Sequence, residues 1–122
     1  MATVRTPSFG LTPGRGEIWN ADLNPTRGHE QAGKRPVLVI STDIFNEGPA
    51  DLVVVLPITS KGRGVALHVQ VKPDESGLKL TSYVLCDAIR SIAKERLLSR
   101  LGKIDRTKLR EIEVRLRILL DL

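Results

Sequence analysis

Two short stretches of this sequence carry side chains suited to holding a phosphate group. In the first, Arg35 stands immediately before Pro36, at the start of the apolar run PVLVIS. Because a proline restricts the preceding residue to an extended backbone, Arg35 is predicted to project from the rigid start of a buried strand. A guanidinium can donate two parallel hydrogen bonds to a phosphate, so Arg35 is a candidate phosphate ligand, although a solvated arginine is the commoner role.

The second stretch is VVVLPITSKGRG, residues 53–64, in which an apolar strand ends in two hydroxyl residues and two basic ones. Thr59 and Ser60 are predicted to lie at the strand end, followed by Lys61 and Arg63 between glycines. Hydroxyls and cations in this arrangement can hold a phosphodiester backbone. A capped strand followed by a solvated turn explains the same pattern, so neither stretch decides the matter alone.

Other kinds of chemistry find little support in the residue types. The chain has two histidines, His29 and His68, and one cysteine, which cannot close a zinc site without several carboxylates. His68 lies in an alternating segment, where a surface or sheet-face role is expected. The sequence contains neither a cysteine–histidine nucleophile pair with local support nor a glycine-rich phosphate loop before a helix. We therefore predict a protein that uses no metal and no cofactor.

The composition indicates one cytoplasmic domain with a polyanionic partner. The 122 residues suffice for one modest core, and 19 Lys and Arg against 14 Asp and Glu give a net charge of +5. A positive excess favours nucleic acid because binding releases phosphate counterions, although many basic proteins bind none. No run of residues resembles a membrane span or a secretory signal. Cys86, in an apolar run, is predicted to be a buried thiol, which suits a reducing cytosol.

The elements expected to position these side chains are short strands followed by one helix. Residues 1–14 contain turn-forming residues without periodicity, so we predict a flexible N-terminal arm at 1–14 and a folded domain at 15–122. Strands are predicted at residues 17–23, 36–41, 52–58, 65–71, 81–88 and 89–92. The predicted fold class is mainly β (β plus α), a compact antiparallel sheet or barrel with a terminal helix.

Helical spacing of apolar residues identifies the C-terminal element. The apolar residues that recur on one face are Leu109, Ile112, Leu116 and Leu119. Asp105 is the predicted N-cap, and Ile104 is expected to pack onto Leu109 across that cap.

Taken together, these motifs resemble the MazF/PemK family of toxins from type II toxin–antitoxin systems. The segment RGEIWNADLNPTRGHEQAGKRPVLVIS, residues 15–41, is similar to the family's opening signature. VLPITS, residues 55–60, is similar to its second motif, and AIRSIAKERL, residues 88–97, to its third. The likeness covers residues 14–122, with the motifs in the family's order.

The resemblance implies an SH3-like curved barrel that forms a homodimer and acts as a metal-independent, ribosome-independent endoribonuclease. Such a toxin would cleave single-stranded RNA at specific sequences by attack of the 2′-hydroxyl, leaving 2′,3′-cyclic phosphate and 5′-hydroxyl ends, and would inhibit translation. A cognate antitoxin would cover the RNA-binding groove. Two alternatives stay open: a gyrase poison on the same fold, disfavoured because no aromatic residue stands near the C-terminus, and a non-cleaving RNA-binding relative.

Matched position by position, the resemblance implies that Arg35 and Thr59 are the catalytic residues. The positions expected to bind substrate are Glu30, Gln31, Lys34, Ser60, Lys61, Arg63 and Arg90. Glu30 is also a candidate general base, because arginine does not readily lose its proton, although we favour a role in orienting Arg35. At residues 86–88 this chain has Cys-Asp-Ala where many relatives carry Glu-Gln before the aliphatic residue, so no role of that glutamine carries over.

Overall fold

Seven antiparallel strands and two helices make up the fold in a computed structural model that describes residues 12–24, 33–62 and 64–122, apart from the side chain of Glu75. The strands are β1 (Glu17–Asp22), β2 (Lys34–Val39), β3 (Leu52–Thr59), β4 (His68–Val71), β5 (Ser82–Leu85), β6 (Arg90–Ala93) and β7 (Leu97–Lys103). The helices are α1 (Asp43–Glu47) and α2 (Arg106–Leu120). The mainly β fold with a C-terminal helix is thereby confirmed. Neither helix of the described chain has the length and hydropathy needed to cross a bilayer.

The strand β3 is the hub of the sheet. The strands follow the order β4-β5-β3-β2-β1-β7, and β6 joins this path by pairing with β3. Along one edge β3 pairs with β2. Along its other edge, the first half pairs with β6 and the second half with β5. Because two strands share that edge, the sheet bends around β3.

Apolar side chains are buried on both faces of the central strands. In β1, Ile18 belongs to one apolar cluster, whereas Trp19 and Ala21 belong to a second cluster on the opposite face. This is the period of two expected of a strand, and it agrees with the strand predicted at residues 17–23. From α2, Ile112 and Leu116 pack into the first cluster, so the helix covers that face of the sheet.

The start of α2 follows the prediction. The carboxylate oxygen Oδ1 of Asp105 accepts a hydrogen bond from the backbone N–H of Lys108 at 2.8 Å, as an N-cap residue does. Ile104 is buried in the first cluster, and Leu109 packs against the same cluster. The predicted cap is confirmed, and the two apolar residues that flank it belong to the same cluster.

Several predicted boundaries were wrong. The strand predicted at 65–71 begins only at His68, because the backbone N–H of His68 closes a turn onto the carbonyl of Val65 at 2.9 Å. The strand predicted at 81–88 ends at Leu85, and residues 86–88 form a turn of 3₁₀ helix. The sequence reading also missed α1 and β7. Strand β7 lies at one end of the strand order with all of its residues exposed or half-buried, so it lacks an apolar alternation.

The predicted N-terminal arm lies mostly outside the described residues. Of its last residues, the carbonyl of Pro13 accepts a hydrogen bond from the side-chain amide of Asn46 at 3.0 Å. The backbone N–H of Gly14 donates to the Glu17 carboxylate at 2.8 Å. Pro13 and Gly14 are therefore attached to the sheet and to α1.

One glycine contact joins the two ends of the strand order. Gly77, in the connection from β4 to β5, has a φ of 79° and packs against the backbone of β7. A Cβ atom at Gly77 would lie 2.0 Å from the carbonyl oxygen of Leu101. The absence of a side chain thus allows the β4–β5 connection to touch β7, which curves the sheet round on itself.

We expect Gly77→Ala to lower the free energy of unfolding by about 3 kcal/mol, because a left-handed backbone and a backbone clash both oppose the new methyl group. Denaturant unfolding would measure the change. Gly64→Ala is the matched control: Gly64 has a φ of 65°, but a Cβ atom added there would meet no other atom within 4 Å. The control should lose only about 1 kcal/mol. Equal losses in the two variants would contradict the importance of the contact with Leu101.

Candidate functional site

The pairing of β2 with β3 brings the two predicted catalytic residues together. Val37 lies opposite Pro57, and Leu38 lies opposite Leu56, in an antiparallel register. The paired residues of β2 and β3 end at Val37 and Pro57, and extending the same register by two residues would set Arg35 opposite Thr59. Directly opposed residues of an antiparallel pair point to the same face of the sheet. A guanidinium and a hydroxyl from distant parts of the sequence thus become neighbours.

Arg35 and Thr59 line one open groove of about 1180 Å³. This volume exceeds the range of about 300–1,000 Å³ usual for small-molecule sites, and the groove suits an extended polymer. The predicted site residues that line it are Arg35, Thr59, Ser60, Lys61 and Arg90. The strand β6 supplies Arg90, which lies opposite Val55 of β3.

The remaining predicted site residues lie elsewhere or cannot be placed. Lys34, the first residue of β2, is exposed and is not among the residues that line the groove. Glu30, Gln31 and Arg63 fall outside the described residues. Their roles stay predictions.

The hydroxyl of Thr59 is oriented by the turn that follows it in the chain. Its oxygen accepts a hydrogen bond from the backbone N–H of Lys61 at 3.2 Å. Because that bond uses a lone pair of the oxygen, the hydroxyl proton is left to be donated outward. Thr59 is half-buried at the end of β3, so the hydroxyl is held on a strand rather than on a free loop.

The charge of the groove is strongly positive. Among its described lining residues, the basic ones are Arg35, Lys61, Lys79 and Arg90, and the acidic one is Asp87. One wall is apolar, and its Leu80 is exposed. Cations beside an apolar wall suit a ligand that has both a charged backbone and flat bases. Within the described chain, no three side chains of the types His, Cys, Asp and Glu gather as a possible metal site.

The sequence reading missed a histidine–carboxylate pair in this groove. His68, the first residue of β4, has a side chain that is only 9% exposed, and its Nε2 lies 3.0 Å from Oδ1 of Asp87. Of the surface or sheet-face role expected for His68, the surface role does not hold, because its side chain is nearly buried. Register explains the pair, since His68 lies opposite Leu85, two residues before Asp87. The sequence indicated that the predicted fourth and fifth strands could form a hairpin. It did not indicate the register of that hairpin, on which the pair depends.

Cys86, the residue before Asp87, has a fully buried thiol, as predicted. Burial raises the pKa of the Cys86 thiol from 9.0 to about 11. The nearby charges of Arg115 and Asp87 act in opposite directions on this pKa and change it less. The thiol is thus protonated at neutral pH and packed as an apolar group.

We expect Cys86 to resist iodoacetamide at pH 8 in the native protein and to react fully in denaturant, because only an accessible thiolate is alkylated. Intact-mass spectrometry would count the adducts. An exposed thiol introduced by Ser99→Cys is the control, and that variant should gain one adduct without denaturant. Alkylation of native Cys86 at the rate seen in the unfolded chain would contradict its burial.

Comparisons with known proteins agree with the motifs. A family model described as "PemK-like, MazF-like toxin of type II toxin-antitoxin system" matches residues 14–120. The endoribonuclease PemK of Escherichia coli is 41% identical over 108 residues, which cover 87% of this chain and 80% of that protein. Endoribonuclease MazF9 of Mycobacterium tuberculosis is 35% identical over 113 residues, which cover 88% of this chain and 96% of that protein.

Solved structures with this fold come from the same family. The crystal structure of MazF from Deinococcus radiodurans aligns with a TM-score of 0.80 at 29% identity, covering 91% of this chain and 98% of that one. A chain of a MazE–MazF structure from the same organism aligns with a TM-score of 0.75 at 30% identity, covering 91% and 97%. The family match spans nearly the whole domain, and both endoribonuclease relatives exceed 30% identity. This chain therefore belongs to the PemK-like, MazF-like family of toxins of type II toxin–antitoxin systems.

Proposed function

We propose that this chain is an endoribonuclease toxin that cleaves single-stranded RNA in the groove, without a metal and without the ribosome, and so inhibits translation. The observation that carries the proposal is that Arg35 of β2 and Thr59 of β3, which lie at the same end of two paired strands, line one groove. Together with Arg35, three further basic side chains of the described groove, those of Lys61, Lys79 and Arg90, favour the polyanionic backbone of RNA.

The reaction we propose uses a nucleophile that belongs to the substrate. The ribose 2′-oxygen attacks the adjacent phosphorus, the bond from phosphorus to O5′ breaks, and the products carry 2′,3′-cyclic phosphate and 5′-hydroxyl ends. Negative charge grows on the phosphoryl oxygens as the attack proceeds. The Arg35 guanidinium and the Thr59 hydroxyl are suited to stabilise that charge, because both are donors fixed on strands before the substrate arrives.

Two protons must move during this reaction. The 2′-hydroxyl loses one proton, and O5′ gains one. Arginine keeps its charge in proteins, so Arg35 is suited to donate a hydrogen bond to the leaving oxygen and unsuited to accept the proton. Glu30 is the sequence's candidate acceptor, although we favour its role in orienting Arg35. Of the other groove residues, Ser60, Lys61 and Arg90 would hold the backbone on either side of the cleaved bond.

The family suggests the partners. The MazE–MazF structure from Deinococcus radiodurans pairs that toxin with MazE, and we propose that a cognate antitoxin likewise covers the groove of this chain. We further propose that the toxin acts as a homodimer in the cytoplasm, where its RNA substrates are. A gyrase poison and a non-cleaving RNA binder are the alternatives, and the presence of both Arg35 and Thr59 in the groove favours cleavage over them.

We expect Arg35→Ala and Thr59→Val each to lower the cleavage rate of a mixed single-stranded RNA by roughly 100-fold to 1,000-fold in EDTA, since each removes a donor to the charged transition state. The fold should be retained because both side chains line an open groove. Lys103→Ala, at an exposed lysine of β7 outside the groove, is the control and should cleave like the parent.

Analysis of the RNA ends separates the alternatives. Cyclic-phosphate ends that disappear in both variants support the endoribonuclease. Intact RNA together with blocked DNA supercoiling by gyrase would favour the poison instead. Intact RNA that is bound but never cut would favour the non-cleaving relative. Loss of the thermal unfolding transition in Arg35→Ala would show that the arginine is structural.

A further inference from the structure

The groove holds one carboxylate that the proposed cleavage chemistry does not use. Asp87 is the acidic residue among the described residues that line it, beside four basic ones. A carboxylate repels phosphates, so its presence among cations needs a reason other than binding the RNA backbone. The side chain of Asp87 is 42% exposed, so a ligand in the groove can reach it.

His68 holds this carboxylate in place. Its Nε2 lies 3.0 Å from Oδ1 of Asp87, and its side chain is only 9% exposed. Its other ring nitrogen, Nδ1, is buried and has no hydrogen-bond partner among the described residues. A proton on Nδ1 would be a buried donor without an acceptor, which costs free energy. The proton therefore belongs on Nε2, which donates to Asp87, and Nδ1 is too enclosed to reach a substrate.

Asp87 lies at a distance from the phosphodiester bond that Arg35 and Thr59 would hold. Thr59 lies opposite Tyr83, and Asp87 follows Tyr83 by four residues. Strand and 3₁₀ geometry place the Cα atoms of Tyr83 and Asp87 about 10 Å apart. The apolar side chains of Leu80 and Ile89 line the same groove. This surface suits the base of a nucleotide next to the cleaved bond rather than its phosphate.

A carboxylate fixed at this place would discriminate among bases. Adenine, cytosine and guanine each carry an exocyclic amino group that can donate to it. Uracil has no amino group, and its N3–H is flanked by two carbonyl oxygens that a carboxylate repels. We propose that Asp87 recognises a base with an exocyclic amino group, beside the cleaved bond, and that His68 is its positioning residue. This inference rests on the proposed function, because it requires RNA in the groove.

Mapping of cleavage sites in a random RNA pool tests the inference. We expect the parent to disfavour uracil at one position next to the cut. Asp87→Asn should still cleave but lose that preference by roughly 10-fold to 100-fold, because an amide can also donate to the carbonyl oxygens of uracil. Asp121→Asn is the matched control, since it makes the same chemical change at the C-terminal end of α2.

Two outcomes would overturn the inference while the proposed function stands. An unchanged cleavage profile in Asp87→Asn would show that the carboxylate does not read a base. Loss of cleavage at every site in Asp87→Asn, with RNA binding retained, would show that Asp87 takes part in the chemistry, for example as the acceptor of the 2′-hydroxyl proton.

Two substitutions of His68 test the positioning role. His68→Gln keeps an N–H donor near Asp87, whereas His68→Phe keeps a ring without one. We expect His68→Phe to relax the base preference and His68→Gln to preserve most of it, with cleavage of the best site changed less than the preference. A purely packing role for His68 predicts the reverse order, because phenylalanine fills the space better. That reverse order would overturn the positioning role.

A binding measurement keeps this test independent of cleavage. In the Arg35→Ala background, oligonucleotides that differ only in uracil or cytosine at the mapped position should differ in affinity by roughly 10-fold or more, and Asp87→Asn should remove the difference. If the parent cuts no RNA, no position can be mapped, and a set of oligonucleotides substituted at each position in turn is used instead.

In that case a base preference that depends on Asp87 would support the role of Asp87 in base recognition. The lack of cleavage would contradict only the proposed function. Equal affinities at every position would overturn the inference.

Discussion

The pairing of β2 with β3 is specified by side chains that are buried on both faces of the sheet. Val37 and Val39 enter one apolar cluster, while Leu38 and Leu56 enter the other, and all four are fully buried. A slip of one residue would turn each of these side chains to the wrong face, so the core strongly favours a single register. The opposition of Arg35 and Thr59 follows from that register. The same burial that stabilises the fold therefore also aligns the candidate site.

The groove is assembled around the strand that carries Thr59. Because the far edge of β3 is shared, its first half brings in β6 with Arg90, and its second half brings in β5 and the turn with Asp87. The contact of Gly77 with the backbone of Leu101 brings β7 to the groove, and both residues line it. Side chains from distant parts of the chain thus meet because one strand pairs with three others.

The local features of the site were predictable, and the long-range ones were not. The extended backbone of Arg35 follows from Pro36, and the place of Thr59 at a strand end follows from the end of an apolar run. Their register depends on the connection between β2 and β3, which contains α1 and buries Asn46 through hydrogen bonds to Ser41 and Pro13. No periodicity in the sequence indicates those bonds. The partner of His68 was hidden for the same reason, since it depends on where β4 begins.

Cations and a restrained carboxylate would have different effects on the binding of RNA in this groove. Every RNA presents the same phosphates, so Lys61 and Arg90 can add affinity without adding information about sequence. A carboxylate adds little affinity for a polyanion, but it separates bases by their hydrogen-bond donors. Such discrimination requires a carboxylate that cannot turn away, and the buried imidazole of His68 supplies that restraint at 3.0 Å. A buried His68 imidazole that restrains Asp87 would thereby turn a nonspecific cationic surface into one that can select a sequence.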